Sequence, residues 1–384
     1  MPTAQPAPSQ VNILGTNDAA VISAPVVDLT ETNAVLTTSG TLSITDVDSP
    51  ASFVALTNVA GSNGYGKFTV NADGSWTYTA NTAHDEFKAG ITYTDTVTVT
   101  SADGTTSTIQ VNILGTNDAA VISAPVVDLT ETNAVLTTSG TLSITDVDSP
   151  ASFVALTNVA GSNGYGKFTV NADGSWTYTA NTAHDEFKAG ITYTDTVTVT
   201  SADGTTSTIQ VNILGTNDAA VISAPVVDLT ETNAVLTTSG TLSITDVDSP
   251  ASFVALTNVA GSNGYGKFTV NADGSWTYTA NTAHDEFKAG ITYTDTVTVT
   301  SADGTTSTIQ VNILGTNDAA VISAPVVDLT ETNAVLTTSG TLSITDVDSP
   351  ASFVALTNVA GSNGLRQVHG QCRRQLDLHG KHRA

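Results

Sequence analysis

The stretch from Gln10 to Gly364 repeats itself every 100 residues without a single substitution, so three full copies and part of a fourth make up nearly all of the 384-residue chain. Identity at a fixed period marks a repeat architecture in which each unit is one structural module. A period of 100 residues is too long for a solenoid repeat of roughly 20–50 residues and matches a small domain. The chain therefore reads as a string of equivalent domains. Residues 17–116, 117–216 and 217–316 are complete repeats, 317–364 an incomplete fourth, and 1–16 a leader plus the last strand of a truncated preceding repeat.

Charge narrows the partners. Each repeat carries ten acidic and two basic residues, Lys67 and Lys88 in the first, within a chain of net charge −25. Such a surface repels nucleic acid and concentrates multivalent cations. The repeats lack cysteine, so neither disulfides nor thiolate metal sites enter the argument. No run approaches the roughly twenty apolar residues of a membrane span. Met1 to Gln10 lacks the basic and apolar regions of a signal peptide, and any export address is expected elsewhere.

Strand signals fill the repeat. Ala19–Leu29, Val35–Thr38, Thr41–Asp46, Phe53–Val59, Lys67–Asn71, Ser75–Ala80, Ile91–Thr100 and Thr106–Leu114 are Thr/Val/Ile-rich runs. Turns are expected at Ser39-Gly40, Ser49-Pro50, Gly61 to Gly64, Asp73-Gly74 and Asp103-Gly104. Asp73-Gly74 lies between Phe68/Val70 and Trp76/Tyr78 and predicts a type I′ hairpin. Alternation in Tyr93, Val97, Val99 and in Ile109, Val111, Ile113 leaves one face of each sheet wet. Seven or eight antiparallel strands, with no helical period beyond the short Asn81–Ala89 segment, predict an all-β fold of tandem Ig-like β-sandwich modules in a linear array. Trp76 is read as its core aromatic.

The chemistry is expected at acidic strand ends. Asp46-Val47-Asp48 follows the strand Thr41–Thr45, and alternate residues face one way, so both carboxylates can converge on one ion. Glu31, Asp103 and Thr116-Asn117-Asp118 offer further oxygens at the ends where modules meet. Calcium takes six to eight oxygens, and carboxylates from two modules sharing an ion would stiffen the joint. The alternative is that these acidic residues form solvated turns.

Gly15-Thr16-Asn17-Asp18-Ala19-Ala20, recurring at Gly115 to Ala120, resembles the boundary signature of VCBS repeats, with Ala20 where that motif carries proline. Gly40-Thr41-Leu42 running into Asp46-Val47-Asp48, Tyr65 to Phe68, and Asp73 to Tyr78 are similar to the same family's interior. The resemblance covers Gln10 to Gly364. It implies cadherin-like sandwiches of large bacterial surface or secreted adhesins, exported by type I secretion beside RTX calcium repeats, although RTX nonapeptides are absent here. It also implies Ca2+ as cofactor. The expected ligands are Glu31, Asp46, Asp48, Asp103, Asn117 and Asp118, with Glu131, Asp146, Asp148, Asp203, Asn217, Asp218, Glu231, Asp246, Asp248, Asp303, Asn317 and Asp318 in later repeats.

An enzyme is not expected. His84-Asp85-Glu86 is the one histidine-containing cluster of a repeat; without a second histidine or a nucleophile-base pair it reads as a solvated loop. Trp76, Tyr78, Tyr65 and Tyr93 could form a sugar platform, but alternation directs Trp76 and Tyr78 inward. The expected function is an extracellular, calcium-stiffened stalk of a bacterial adhesin. Its partners are the neighbouring repeats and, as the alternative, cell-surface or matrix glycans or like adhesins.

After Gly364 the pattern breaks. Leu365–Ala384 holds the only Cys, Cys372, and every Arg, including Arg373-Arg374. Encoding Tyr65 to Ala72 as TAC GGC AAG TTC ACG GTC AAT GCC and inserting one C before it yields CTA CGG CAA GTT CAC GGT CAA TGC, the codons of Leu365 to Cys372. Residues 365–384 are therefore read as a frameshifted fourth repeat, and its cluster of Cys372, His369, His379 and His382 as functionless. The fourth unit is expected to stop after its third or fourth strand, with open edges and local disorder. Resequencing across the Gly364 codon tests this.

Overall fold

A computed structural model of the chain describes Thr3, Gln5, residues 8–361 and the backbone of 366–371 and 375–380. The chain divides into two compact units, Met1–His184 with Thr192–Leu214, and Asp185–Ile191 with Gly215–Ala384.

The first repeat contains β1 (Val21–Ile22), β2 (Val26–Thr30), β3 (Thr37–Thr41), β4 (Ile44–Thr45), β5 (Leu56–Ala60), β6 (Gly66–Val70), β7 (Ser75–Ala80), β8 (Thr92–Thr100) and β9 (Thr106–Leu114). They form a four-stranded sheet ordered β3-β7-β6-β5, a three-stranded sheet ordered β2-β9-β8, and the small pair β1-β4. The second and third repeats reproduce these strands and sheets.

Alternation builds the core. Phe68, Val70, Tyr78, Val99, Ile109, Val111 and Ile113 are fully buried, and Trp76 is 2% exposed. Their strand neighbours Thr77, Thr79 and Thr98 face water. Burying such side chains between two sheets is worth roughly 1.5–3 kcal/mol each against leaving them exposed. Phe68 and Tyr78 pack with ring centroids 4.7 Å apart.

The structure corrects the expected strands in five places. Ala19–Leu29 is divided into β1 and β2 by Ser23-Ala24-Pro25, because the chain changes sheets there. β2 then pairs in parallel with β9, Val27 opposite Val111, so the sandwich is not wholly antiparallel. Ser39-Gly40 lies inside β3 rather than in a turn. A Cβ on Gly40 would come within 2.9 Å of the Trp76 indole, so glycine is there for close approach. The Asp73-Gly74 hairpin forms, but the Asn71 amide donates to the Ser75 carbonyl at 2.8 Å and encloses three residues rather than two. Gly74 alone takes a positive φ, 85°, the geometry of a type I turn with a bulge. Asn81–Ala89 forms turns, and no helix occurs among the described residues.

In the fourth repeat, strands at Arg366–Gln371 and Gln375–Gly380 continue the sheet from Thr337–Thr341 and Leu356–Ala360. The expected stop of that sheet at Gly364 is thus corrected: main-chain hydrogen bonding continues through residues whose side chains differ from the repeat, with Val368 opposite Leu378. Cys372, Arg373, Arg374 and His382 lie outside the described residues.

Candidate metal centre

The parallel β2-β9 ladder brings Glu31 to the next repeat boundary. Its amide donates to the Leu114 carbonyl at 2.8 Å, ending the ladder. The boundary residue Thr116 then turns back on it. The Thr116 amide donates to Glu31 Oε2 at 3.2 Å, and the Thr116 hydroxyl donates to the same oxygen. Glu31 is 2% exposed, and its Oε1 is buried without a donor.

Two more carboxylates meet it. Glu31, Asp85 and Asp118 each place an oxygen within 4.8 Å of the others. Asp85 Oδ1 and Asp118 Oδ2 are buried without a donor, while Asp118 Oδ1 accepts from Asn33 Nδ2 at 2.9 Å. Burial, then the Glu31 and Asp85 carboxylates, raise the Asp118 carboxyl above its ordinary value.

The second repeat contributes Asp146 and Asp148. Asp146 Oδ1 accepts from the Asp148 and Ser149 amides at 3.1 and 2.8 Å, and its Oδ2 is buried without a donor. Asp148 is 6% exposed, and neither of its oxygens meets a donor; the Asp118 amide approaches without closing a hydrogen bond. Burial and the Asp146 carboxylate push Asp148 up. These residues form a turn after Ile144–Thr145, so a turn rather than strand alternation sets their geometry.

Five carboxylates thus present six buried oxygens without donors: Glu31 Oε1, Asp85 Oδ1, Asp118 Oδ2, Asp146 Oδ2 and both of Asp148. A hard cation with oxygen ligands fits this donor set, since buried carboxylate oxygens left unpaired are costly. The second unit repeats the arrangement. Glu231, Asp285 and Asp318 cluster within 4.8 Å, Asn233 donates to Asp318 at 2.8 Å, and both oxygens of Asp348 lack donors.

The expected ligands separate into two groups. Glu31, Asp118, Asp146 and Asp148 gather at the joint between the first and second repeats. Within the second unit Glu231 meets Asp318, and Asp246 and Asp248 form the same turn; Glu131 and Asp218 hold the matching positions in the sequence. Asp46 and Asp48 form the same turn in the first repeat, where Asp48 is exposed and accepts from the Asp18 amide at 3.1 Å.

Asp103 belongs to the second group. Its Oδ1 accepts from the Ser101 hydroxyl and the Thr105 amide, and its Oδ2 from the Thr105 hydroxyl at 2.7 Å and the Ala20 amide at 3.0 Å. Ser101 and Thr105 hold its carboxyl well below the usual range. Asp203 and Asp303 make the same bonds, so these carboxylates pin each repeat's first segment to its 101–105 hairpin. Asn117 works with them, donating to Asp203 at 3.3 Å, and Asn217 donates to Asp303 at 3.4 Å. Asn317 donates to the Asp318 carbonyl at 2.9 Å.

Asp85 and Asn33 escaped the sequence reading. The His84-Asp85-Glu86 loop is not wholly solvated. His84 is 6% exposed, takes φ 66°, stacks on Phe87 at 4.4 Å, and its Nε2 hydrogen-bonds the Tyr65 carbonyl at 2.6 Å. This fixed loop holds Asp85 at the boundary. The local hint was a conformation-demanding histidine beside two acids; the proximity to Glu31 left no mark in the sequence.

A family model for the bacterial cadherin-like domain matches residues 17–115, 117–215 and 217–315, and the chain belongs to that family. Its three complete repeats are tandem cadherin-like domains. No curated protein matches the chain. Among solved structures, protocadherin gammaB7 EC3–6, a cis-dimer structure, is similar at 15% identity, covering 95% of this chain and 92% of that one with TM-score 0.43. Mouse cadherin-23 EC22–24 is 15% identical, covering 78% of this chain and 99% of that one with TM-score 0.40. Drosophila N-cadherin EC1–4 is 16% identical, covering 93% and 90% with TM-score 0.30.

Proposed function

We propose that this chain is a non-enzymatic extracellular stalk of a bacterial adhesin, whose cadherin-like repeats are stiffened by Ca2+ at their joints. The observation that carries this reading is the set of six donorless buried carboxylate oxygens at the first joint. Glu31, Asp85, Asp118, Asp146 and Asp148 would hold the ion, and their five formal charges exceed what one divalent cation neutralises. Bound calcium supplies the positive charge that lets these groups remain buried and ionised. Without it the joint loosens by mutual repulsion. The VCBS-like boundary motif supports a bacterial surface or secreted setting.

Extracellular modules bind calcium at roughly 10⁻⁴–10⁻³ M, so the joints would be filled outside a cell and empty inside it. The test is unfolding of the full chain, followed by fluorescence of Trp76, Trp176 and Trp276, in chelator and in millimolar calcium, with small-angle scattering of both states. Calcium should raise the melting temperature by several degrees and lengthen the particle; saturation at 100 times Kd corresponds to about 2.7 kcal/mol per site. An unchanged melting curve and profile would refute the reading. Burial of Trp76 at 2% exposure favours this role over a tryptophan-based glycan platform.

A further inference from the structure

Each repeat carries one Asn-Gly pair, Asn63-Gly64 in the first, and no other Asn of the repeat precedes glycine. In a flexible chain this pair is chemically labile. The Gly64 amide nitrogen can attack the Asn63 side-chain carbonyl carbon, since glycine has no Cβ to hinder the approach. A carbon–nitrogen bond forms, the proton of that nitrogen passes to the departing amide group, and ammonia leaves behind a cyclic imide. Water then opens the ring on either side, giving aspartate or isoaspartate.

The folded repeat ties down both groups of that reaction. Asn63 Nδ2 donates to the Thr94 carbonyl at 2.7 Å, which holds the side chain against β8. The Gly64 amide donates to the Gly61 carbonyl at 3.0 Å, with Gly64 at φ 74°. Beneath this loop the fully buried Asp95 accepts from the Asn63 and Gly66 amides, and a Cβ on Gly61 would collide with its carboxylate. The nucleophile must lose a proton that is committed to a carbonyl, in a loop where the Asp95 charge disfavours a second anion. The second and third repeats make the same bonds, Asn163 to the Thr194 carbonyl at 2.6 Å and Asn263 to the Thr294 carbonyl at 2.7 Å.

We propose that Asn63-Gly64, with Asn163-Gly164 and Asn263-Gly264, is a self-modification site that the native loop suppresses, so that its conversion records time spent unfolded and then blocks refolding. The products do not fit the loop. Aspartate at 63 turns a carboxylate oxygen towards the Thr94 carbonyl in place of an amide donor, above the buried Asp95 charge. Isoaspartate adds a methylene to the main chain between residues 63 and 64, which breaks the turn from Gly61 to Gly64. Both faults fall where the loop covers the edge of β8, the Ser62 amide donating to the Thr96 carbonyl at 2.9 Å, so the damage reaches the sandwich. The inference is independent of calcium.

The test follows ammonia release and the melting curve of the full chain carrying Asn363→Gln, since Asn363 lies outside the described residues. In guanidinium chloride at mildly alkaline pH, the chain should release one ammonia per complete repeat in a fast phase. In the same buffer without denaturant, release should be at least about 100-fold slower, as for a step that waits on local opening. A peptide of residues 61–66 should react at the fast rate in both buffers. Asp73-Gly74 and Asp103-Gly104 close such a ring by losing water, so ammonia does not report them. Returned to native buffer, the aged chain should fail to regain its melting curve, whereas a chain that also carries Asn63→Ser, Asn163→Ser and Asn263→Ser should regain its own. Equal release in the folded and unfolded states, no fast phase when unfolded, or full recovery of the melting curve after ammonia release would overturn the proposal.

Discussion

Asp48 and Asp148 share their sequence neighbours and differ in what lies above them. Asp48 is exposed and accepts an amide at 3.1 Å, whereas Asp148 is 6% exposed and its oxygens meet no donor. The preceding repeat makes the difference, by removing water from Asp148. Asp148→Asn removes a buried charge while keeping the shape. In chelator it should therefore stabilise the second repeat. In calcium the same change should be destabilising, since a ligand is lost; urea titrations in the two conditions check the reversal of sign. Aspartate's tendency to occur near turns was legible at this position. Its loss of solvent was not, because the covering residues lie in another repeat. Asp95 makes the same point inside a repeat: fully buried, it accepts from the Asn63 and Gly66 amides at 2.9 and 3.0 Å, at a place where alternation alone marks a core residue.

Strands show where local pattern suffices. β7 and β9 fall on the residues that alternation marked, because both side-chain faces of each are committed, one to the core and one to water. β2 is different. Its apolar run continues from β1, and nothing local says that the chain changes sheets at Pro25 or that the new partner runs parallel. The identical Val326–Thr330 forms no strand at all, so the partner rather than the propensity makes this element. A thiol at each site reports it. In a Cys372→Ser background, Leu329→Cys should react with a thiol reagent at least about 100-fold faster than Leu229→Cys, the ratio expected when one site needs local opening and the other does not. Equal rates would place Val326–Thr330 in a protected strand.

Across the whole molecule, the net charge of −25 sets the response to pH. The raised carboxyls, Asp118 and Asp148, bind protons more tightly folded than unfolded. Their contribution to stability is therefore greatest at low pH and is lost as pH rises from the ordinary aspartate value of about 3.9 through their raised values. Asp103 has the opposite sign: its stabilisation is present above that ordinary value and disappears as pH falls through its depressed one. In chelator, lowering the pH from neutral towards the ordinary aspartate value should relieve the joints before it weakens the Asp103 hairpins. In calcium, the same change should shrink the metal-dependent rise in melting temperature, because protons compete for the same oxygens. Melting curves across this range, with and without calcium, decide it; a calcium increment that grows as pH falls would contradict the assignment.

The sequence by itself determined the repeat, its length, the all-β sandwich and the inward faces of its long strands, because period and alternation are properties of neighbouring residues. It also marked Glu31, Asp118, Asp146 and Asp148 as oxygen donors by their places at strand ends and boundaries. Only the tertiary structure decided that Asp85 joins them and that Asp103 is committed to a hairpin. Each of those outcomes depends on which distant residue removes water or supplies a hydrogen bond, and that information resides in contacts rather than in order along the chain.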